Sequence, residues 1–190
     1  TDGINFTKKF EGPIISTTAT EPYFNGSACF LMHEGKFKVW YLNCTHWIKD
    51  GDLMEPSYHI KYAESSDGIH WEREGKVAIE YRDSTEGGIS RPSVIIEDGI
   101  YKMWFSARAK TDYRTNRNRS YRIYYAESAD GIEWTRKDAE AGIDVSENSS
   151  DWDYEMIEYP LVINHLDDKI LFYNGNHFGQ SGVGYAILKK

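Results

Sequence analysis

Apolar and polar residues alternate in short runs along this chain, and the runs end at tight-turn signals. The segment 121–125, YRIYY, follows a period of two, whereas no window of a dozen residues follows a helical period. Asp98-Gly99 and Asp130-Gly131 are dipeptides that supply the positive φ of two-residue hairpin turns. Aromatic side chains make up 15% of the residues and favour pleated sheet. The pattern predicts an all-β protein built from antiparallel hairpins.

These hairpins repeat along the chain. Residues 62–71, YAESSDGIHW, return at 125–134 as YAESADGIEW, and the two segments differ at only two positions. The hairpin ahead of each copy also repeats, at 32–41 and 96–105, and a third time at 164–173. Four-stranded antiparallel sheets repeated at such a spacing are the blades of a β-propeller. The sequence therefore predicts successive propeller blades.

The repeat also sets the expected boundaries. In the second unit we place strands near 91–97, 101–107, 121–128 and 133–136. We expect residues 1–10 to be the outer strand of a preceding blade, 11–80 and 81–145 to be blades, and 146–190 to be an incomplete last blade. Its third strand is predicted at 182–188.

The start of the chain indicates a piece of a larger ring. Residues 2–8 align with 67–73 and 130–136, so the sequence opens inside a turn. We expect the chain to be part of a longer propeller, and an oligomer that completes the ring is the alternative. Closure of three blades by residues 1–9 would fall below the four to eight blades that propellers use.

Charge narrows the class of partner. The chain carries 22 basic and 30 acidic residues, a net charge of −8, which argues against nucleic acid and against an anionic membrane surface. A neutral or polar small ligand fits better. No stretch approaches the roughly 18 apolar residues of a membrane span. No metal-ligand spacing occurs, no cofactor is predicted, and the sequence does not indicate a compartment.

The two cysteines are predicted to be free. If Glu34-Gly35 forms a hairpin turn, Cys29 faces Trp40 across the strand pair, and Cys44 lies beyond its reach.

One carboxylate stands ahead of each predicted innermost strand: Glu21, Glu86 and Glu155. Innermost strands line the axis of a propeller, so acids that converge there suit general acid and base catalysis on a glycosidic bond. The alternative is that acids are simply common in the loops of an acidic chain.

Further polar residues are expected on the same face. Arg91 begins an innermost strand, where its guanidinium can bind a carboxylate, a phosphate or sugar hydroxyls, or pair with Glu86 or Glu155. A lone histidine is more often structural than a ligand. The predicted substrate-binding residues are Arg91, Arg108, Asn43, His46, Tyr159, Asn174, Asn176 and His177.

Two further groups are expected to be structural or solvated. Trp71 and Trp134 are predicted to pack between blades. The basic run Arg114, Arg117, Arg119 and Arg122 is predicted to lie mostly in a long loop that faces solvent or a partner.

The segments 91–94 (RPSV), 101–105 (YKMWF) and 125–134 resemble the five-bladed propeller superfamily of arabinanases, levansucrases and invertases. The bacterial family 32-like and 43-like propellers found with surface-polysaccharide biosynthesis are the most similar members. The resemblance spans nearly the whole chain. It implies blades three to five of a ring, preceded by the last strand of blade two.

In that superfamily an Asp base, an orienting Asp and a Glu acid come from the first three blades in turn. By position the resemblance makes Glu21 the acid-blade residue and leaves the base blade outside this chain. Arg91-Pro92 departs from the invertase pattern, which has an Asp between these two residues.

These observations lead to two functional hypotheses. The first is a carbohydrate-active propeller of glycoside-hydrolase type, with Glu21 as general acid and Arg91 as substrate clamp. The alternative is a non-catalytic module that binds sugar or a partner enzyme of polysaccharide biosynthesis.

Overall fold

A computed structural model describes Gly3 and residues 5–188 of the chain and shows an all-β protein. The prediction for the first strand falls partly on Thr1, Asp2 and Ile4, which lie outside the described residues. Residues 5–10 are not a strand. Among these described residues, helical structure is confined to the short turns Arg117–Arg119, Asp138–Glu140 and α1 (Asn176–Gly179).

The strands form one eight-stranded and one three-stranded sheet. They divide into three antiparallel groups, here called blades 1 to 3. Blade 1 contains β1 (Asn25–His33), β2 (Lys36–Asp50), β3 (Leu53–Ser65) and β4 (Val77–Ile79). Blade 2 contains β5 (Glu86–Glu97), β6 (Ile100–Ala109), β7 (Arg122–Ser128) and β8 (Thr135–Arg136). Blade 3 contains β9 (Glu158–His165), β10 (Asp168–Asn174) and β11 (Val183–Ile187). Neighbouring strands within each blade are antiparallel, and a parallel bridge from Tyr58 to Gly88 joins blades 1 and 2.

Tight hairpins join the first two strands of blades 1 and 2. Glu34-Gly35 and Asp98-Gly99 both have positive φ at each residue, the geometry whose twist matches the flanking strands. The first turn places Cys29 opposite Trp40, as predicted, and both cysteines are free thiols.

The prediction of a two-residue turn at Asp130-Gly131 was wrong. β7 ends at Ser128 and β8 starts at Thr135, so the connection is longer. The Ser128 hydroxyl accepts hydrogen bonds from the amides of Asp130 and Gly131, and Asp130 Oδ1 accepts from the next two amides. These side chains satisfy the loop backbone, so a longer turn is stable.

The blades pack face to face through equivalent residues. Trp40 of blade 1 donates a hydrogen bond to the Gly131 carbonyl of blade 2 (2.8 Å) and packs edge-on against Trp134. Trp134 therefore lies between blades, as predicted. Trp104 takes the place of Trp40 at the next junction and donates to the Ala141 carbonyl (3.3 Å).

The innermost strands β1, β5 and β9 are also joined side by side. Cys29 Sγ accepts a hydrogen bond from the Val94 amide (3.4 Å), and Ser93 Oγ accepts one from the Val162 amide (2.8 Å). Cys29 and Ser93 hold equivalent positions in blades 1 and 2, so one contact is used at both junctions.

The outer faces of the two end blades are apolar and uncovered. Phe30 and Met32 in β1 are 51% and 61% exposed, whereas the equivalent Val94 in β5 is buried against blade 1. At the other end, Leu161 and Ile163 of β9 are 46% and 38% exposed. Positions that are buried between adjacent blades are therefore exposed to solvent on the outer faces of blades 1 and 3.

Candidate functional site

Each innermost strand is interrupted by a bulge near its start. The strand register shifts at the same point in all three blades, and one residue there has a left-handed backbone. These residues are Ser27 (φ 44°), Arg91 (φ 50°) and Tyr159 (φ 57°). Non-glycine residues adopt this conformation rarely, and bulges re-aim side chains near functional sites. Strand pairing alone does not require these bulges, so they are candidate positions for a functional site.

Arg91 is the cationic residue among the three bulge residues. Its side chain is exposed, and none of the ion pairs among the described residues includes it. The pairing of Arg91 with Glu86 or Glu155, considered from the sequence, is therefore not formed. Its guanidinium remains available to an anionic or hydroxyl-rich ligand.

Glu158 precedes the bulge of β9 and is the most unusual acid in the protein. The residue is completely buried, and within the described chain neither carboxyl oxygen has a hydrogen-bond donor in good geometry. Burial raises the pKa of Glu158 to about 8, against a smaller opposing effect of the Tyr159 hydroxyl. The group is therefore mostly protonated at neutral pH. Perturbed, unsatisfied buried acids of this kind are concentrated at functional sites.

Two sequence-predicted residues lie beside Glu158. Asn174 is its cross-strand partner at the end of β10. Tyr159 is its neighbour in the chain, donates its backbone amide to Ser106 Oγ (2.7 Å) and stands 6.0 Å from the ring of Tyr121. The structure thus brings Glu158, Tyr159 and Asn174 together at the start of blade 3.

Glu21 is held inside blade 1. It accepts hydrogen bonds from Lys61 (3.0 Å), Tyr41 (3.1 Å) and Arg73. Burial acts to raise the pKa of Glu21, but Lys61 and Arg73 outweigh it and hold the pKa below its ordinary value. An acid kept ionised in this way does not suit the role of proton donor.

Glu86 repeats the arrangement in blade 2. Arg136 donates to both of its carboxylate oxygens, at 2.7 and 3.2 Å. Arg73 and Arg136 occupy equivalent positions in the duplicated segment, so Glu21–Arg73 and Glu86–Arg136 are one repeated ion pair. Two of the three acids that suggested catalysis thus share one structural contact.

Glu155 belongs to a separate loop cluster. Its carboxylate lies 3.5 Å from His177 Nδ1, and both side chains are about half exposed. Asn176 holds the loop by accepting from the Glu155 amide (2.7 Å) and donating to the Asp151 carbonyl (3.1 Å). The three predicted acids therefore have separate partners.

The remaining candidates divide between buried and exposed positions. Arg108 is buried and donates to Tyr58, Tyr121 and the Pro56 carbonyl. Asn43 is also buried and donates to Asn25 (2.8 Å), whereas His46 is exposed. Arg108 and Asn43 thus act within the fold.

The described part of the chain shows no group of three His, Cys, Asp or Glu side chains arranged to hold a metal ion. Among its helices, none has the length and apolarity needed to cross a bilayer.

Sequence reasoning missed Glu158 although a signal was present. The third hairpin follows the second with an offset of 68, which aligns Tyr159-Pro160 with Arg91-Pro92 and Glu158 with Ser90. A glutamate in place of a buried serine, in a strand rather than a loop, distinguishes Glu158 from the repeated acids.

The chain was compared with protein families, curated proteins and solved structures. No protein-family model matches the chain. Two uncharacterized proteins of Mycobacterium tuberculosis, from strains CDC 1551 and H37Rv, are each 34% identical over 177 residues, which is 93% of this chain and 55% of theirs. The chain spans about half the length of these curated relatives.

Solved structures with a similar fold include several glycoside hydrolases. Zg3597, a family 117 glycoside hydrolase of the marine bacterium Zobellia galactanivorans, has a TM-score of 0.70 at 16% identity over 87% of this chain and 52% of its own. A complex of BT0996 with RGII has a TM-score of 0.69 at 18% identity over 95% and 52%. A family 32 β-fructofuranosidase of Bombyx mori has a TM-score of 0.63 at 16% identity over 90% and 34%. At these identities the likeness establishes the fold alone, that of propeller-type glycoside hydrolases.

Proposed function

We propose that this protein is a carbohydrate-active propeller of glycoside-hydrolase type and that Glu158 is its proton donor. The observation that carries the proposal is the buried, unpaired carboxyl of Glu158 at the start of an innermost strand. A pKa of about 8 leaves this acid protonated at neutral pH, the state in which a general acid donates to a glycosidic oxygen.

The neighbours of Glu158 supply the groups that a sugar needs. Tyr159 and Asn174 offer a hydroxyl and an amide beside the acid, and exposed Arg91 offers a forked donor from the adjacent innermost strand. BT0996, whose fold is similar, is described in complex with RGII, which supports a glycan as the ligand class.

A glycosidase needs a second carboxyl group, and we propose that it comes from further blades. Glu21 and Glu86 are engaged in ion pairs, so neither is free to act as base. The exposed Phe30, Met32, Leu161 and Ile163 occupy positions that are covered at the inner junctions, as expected for faces that receive another blade. The greater length of the relatives agrees with this.

The proposed whole is a five-bladed ring in which residues 11–80, 81–145 and 146–190 are the last three blades. A homo-oligomer that completes the ring is the alternative source of the missing faces. An inverting mechanism would place the base roughly 6.5–9.5 Å from Glu158, with room for a water between the carboxyl groups.

A non-catalytic module that binds sugar or a partner enzyme is the second candidate function. It is favoured by the ion pairs of Glu21 and Glu86, which leave these two repeated acids no part in catalysis. In that case Glu158 would donate a hydrogen bond to a bound sugar without transferring its proton.

The test compares Glu158→Gln with Glu155→Gln in the protein at its natural length. Glycan binding is measured on an array and turnover on the glycans that bind. We expect Glu158→Gln to lower kcat about 100-fold or more with KM little changed, because general acids contribute about 10²–10⁴ in rate. Glu155→Gln is expected to leave kcat within a few fold. Full turnover by Glu158→Gln would remove Glu158 from the mechanism, and binding without turnover by the wild type would favour the module.

A further inference from the structure

Blade 2 contains a small cleft lined by arginines, here called the arginine cleft. It lies where β5 and β7 begin and β6 ends, and its volume is about 90 Å³. A water needs only about 10–15 Å³ of such space, so the cleft has room for a group of several heavy atoms. Its lining includes Arg82, Arg108, Arg119 and Arg122.

The charge of this cleft is opposite to that of the chain. The protein has a net charge of −8, yet four guanidinium groups line one small space. Glu86 is the carboxylate among the lining residues of the described chain, and Arg136 already binds both of its oxygens. Acids outside the lining also partner the arginines: Asp83 lies 3.3 Å from Arg82 and Asp112 lies 3.6 Å from Arg119. These two carboxylates are 46% and 61% exposed, so solvent screens them.

Carbonyl oxygens, which carry no net charge, hold two of the arginines in place. Arg122 donates to the carbonyls of Tyr121 (2.8 Å) and Glu155 (3.0 Å), and Arg119 donates to the Thr111 carbonyl (2.9 Å). Carbonyls orient a guanidinium without neutralising it. The nearest acid of Arg122 is Asp144 at 3.3 Å, whose side chain is 77% exposed. Burial lowers the pKa of Arg122, as expected for a cation with too little counter-charge.

A second observation points into the same space. Ser120 lines the cleft and is only 6% exposed, but in the described chain its hydroxyl has no hydrogen-bond partner. Buried hydroxyls are normally paired, so one without a partner in a cleft lined by arginines indicates a missing acceptor.

We propose that the arginine cleft binds a small oxyanion, the phosphate, sulfate or carboxylate group of a ligand, through Arg82, Arg119, Arg122 and Ser120. Guanidinium forks match the planar and tetrahedral oxygens of these groups, and charge-assisted hydrogen bonds are the strongest of their kind. The proposal goes beyond glycan handling and does not depend on it. It implies that ligands of this protein carry an anionic substituent, such as a sugar acid or a sugar ester.

The test is calorimetric titration of the full chain with inorganic phosphate, inorganic sulfate and glucuronate, at ionic strength held constant with sodium chloride. We expect saturable binding of at least one of them with a Kd of about 1 mM or lower. Arg119→Gln and Ser120→Ala are expected to weaken it about tenfold, because each removes a donor to the anion. We expect both variants to keep the fold, and far-UV circular dichroism checks this.

Lys137→Gln is the matched control, since it removes one positive charge from blade 2 outside the cleft. Binding of phosphate or sulfate alone would assign a tetrahedral ester, and binding of glucuronate would assign a sugar acid. The proposal is overturned if no probe binds, if Arg119→Gln and Ser120→Ala bind as the wild type does, or if Lys137→Gln weakens binding equally.

Discussion

Blades 2 and 3 both place a buried glutamate near the start of the innermost strand. Glu86 in blade 2 is 3% exposed, and Arg136 donates to both of its oxygens. Glu158 in blade 3 is completely buried and has no such partner among the described residues. The ion pair of Glu86 recurs in blade 1 as Glu21 with Arg73, whereas the counterpart of Glu158 in blade 2 is Ser90.

The difference separates what the fold requires from what the site requires. A contact that recurs from blade to blade joins parts of the same blade and stabilises it. A buried acid that occurs once has an electrostatic cost that no repeated contact offsets. In a protein built by repetition, the departure from the repeat is therefore the better guide to chemistry.

The largest expected effect on stability comes from removing the ion pair between Glu86 and Arg136. Glu86→Gln leaves the largely buried Arg136 with Asp138 as its one carboxylate partner among the described residues, so we expect the free energy of unfolding to fall by about 3 kcal/mol at pH 7. Urea denaturation measures the change. Glu11→Gln, at an exposed position, is the control and should change stability by less than about 0.5 kcal/mol. A loss at Glu86 no greater than that of the control would contradict a structural role.

Replacing Glu158, the buried acid without an ion pair among the described residues, should raise the free energy of unfolding. Because the folded pKa of Glu158, about 8, is above its unfolded value of 4.5, the unfolded chain loses this proton first as pH rises. Glu158 therefore lowers stability progressively from about pH 4.5 to pH 8. Glu158→Gln removes this cost, and we expect it to stabilise the protein by about 2 kcal/mol at pH 8.5 and by much less at pH 5. Unfolding curves at both pH values test this; equal effects at the two would show that Glu158 titrates normally.

A third comparison uses the same turn in two blades. Gly68 and Gly131 both have positive φ, at 74° and 78°. An added Cβ at Gly131 would lie 3.0 Å from Trp40 across the blade junction and 3.0 Å from Tyr101 of its own blade. At Gly68 its nearest neighbour is Phe37 at 3.5 Å. Gly131→Ala should cost about 2 kcal/mol and Gly68→Ala about 1 kcal/mol. Thermal unfolding of the two variants measures the difference. An equal loss of stability in both would mean that Trp40 and Tyr101 move to make room for the added methyl group.

The smallest effect is expected where one blade already contains the substitution of another. Cys29 and Ser93 accept the same amide hydrogen bond at successive junctions. Cys29→Ser should therefore change the unfolding free energy by less than about 1 kcal/mol, whereas Cys29→Ala leaves the Val94 amide without its acceptor and should cost more. Denaturation in urea ranks the two. If serine were the worse replacement, the equivalence of the two junctions would be in doubt.

Much of the fold could be predicted from the sequence because its signals are local. The dipeptides Glu34-Gly35 and Asp98-Gly99 fix hairpin turns, and these turns fix which residues face each other, including Cys29 and Trp40. The period of the repeat then gives the blades. Asp130-Gly131 was misread because the loop is stabilised by Ser128 and Asp130 side chains, which a turn dipeptide does not indicate.

The site was harder to predict because charge balance depends on contacts distant in sequence. Glu21 meets Arg73 across 52 residues, and Glu86 meets Arg136 across 50, so neither ion pair is visible along the chain. The state of Glu158 depends on which donors its surroundings lack, a property that only the packed structure defines. Of the predicted residues, Tyr159 and Asn174 lie next to it.

The three bulges at Ser27, Arg91 and Tyr159 share a backbone geometry and differ completely in side chain. Pairing with neighbouring strands holds the backbone around each bulge. The side chain at the bulge therefore contributes little to the core. Such positions can change side chain while folding stays unchanged. Under the proposed function, exchanging residues among the three offers a direct route to altering which ligands the protein accepts without redesigning its scaffold.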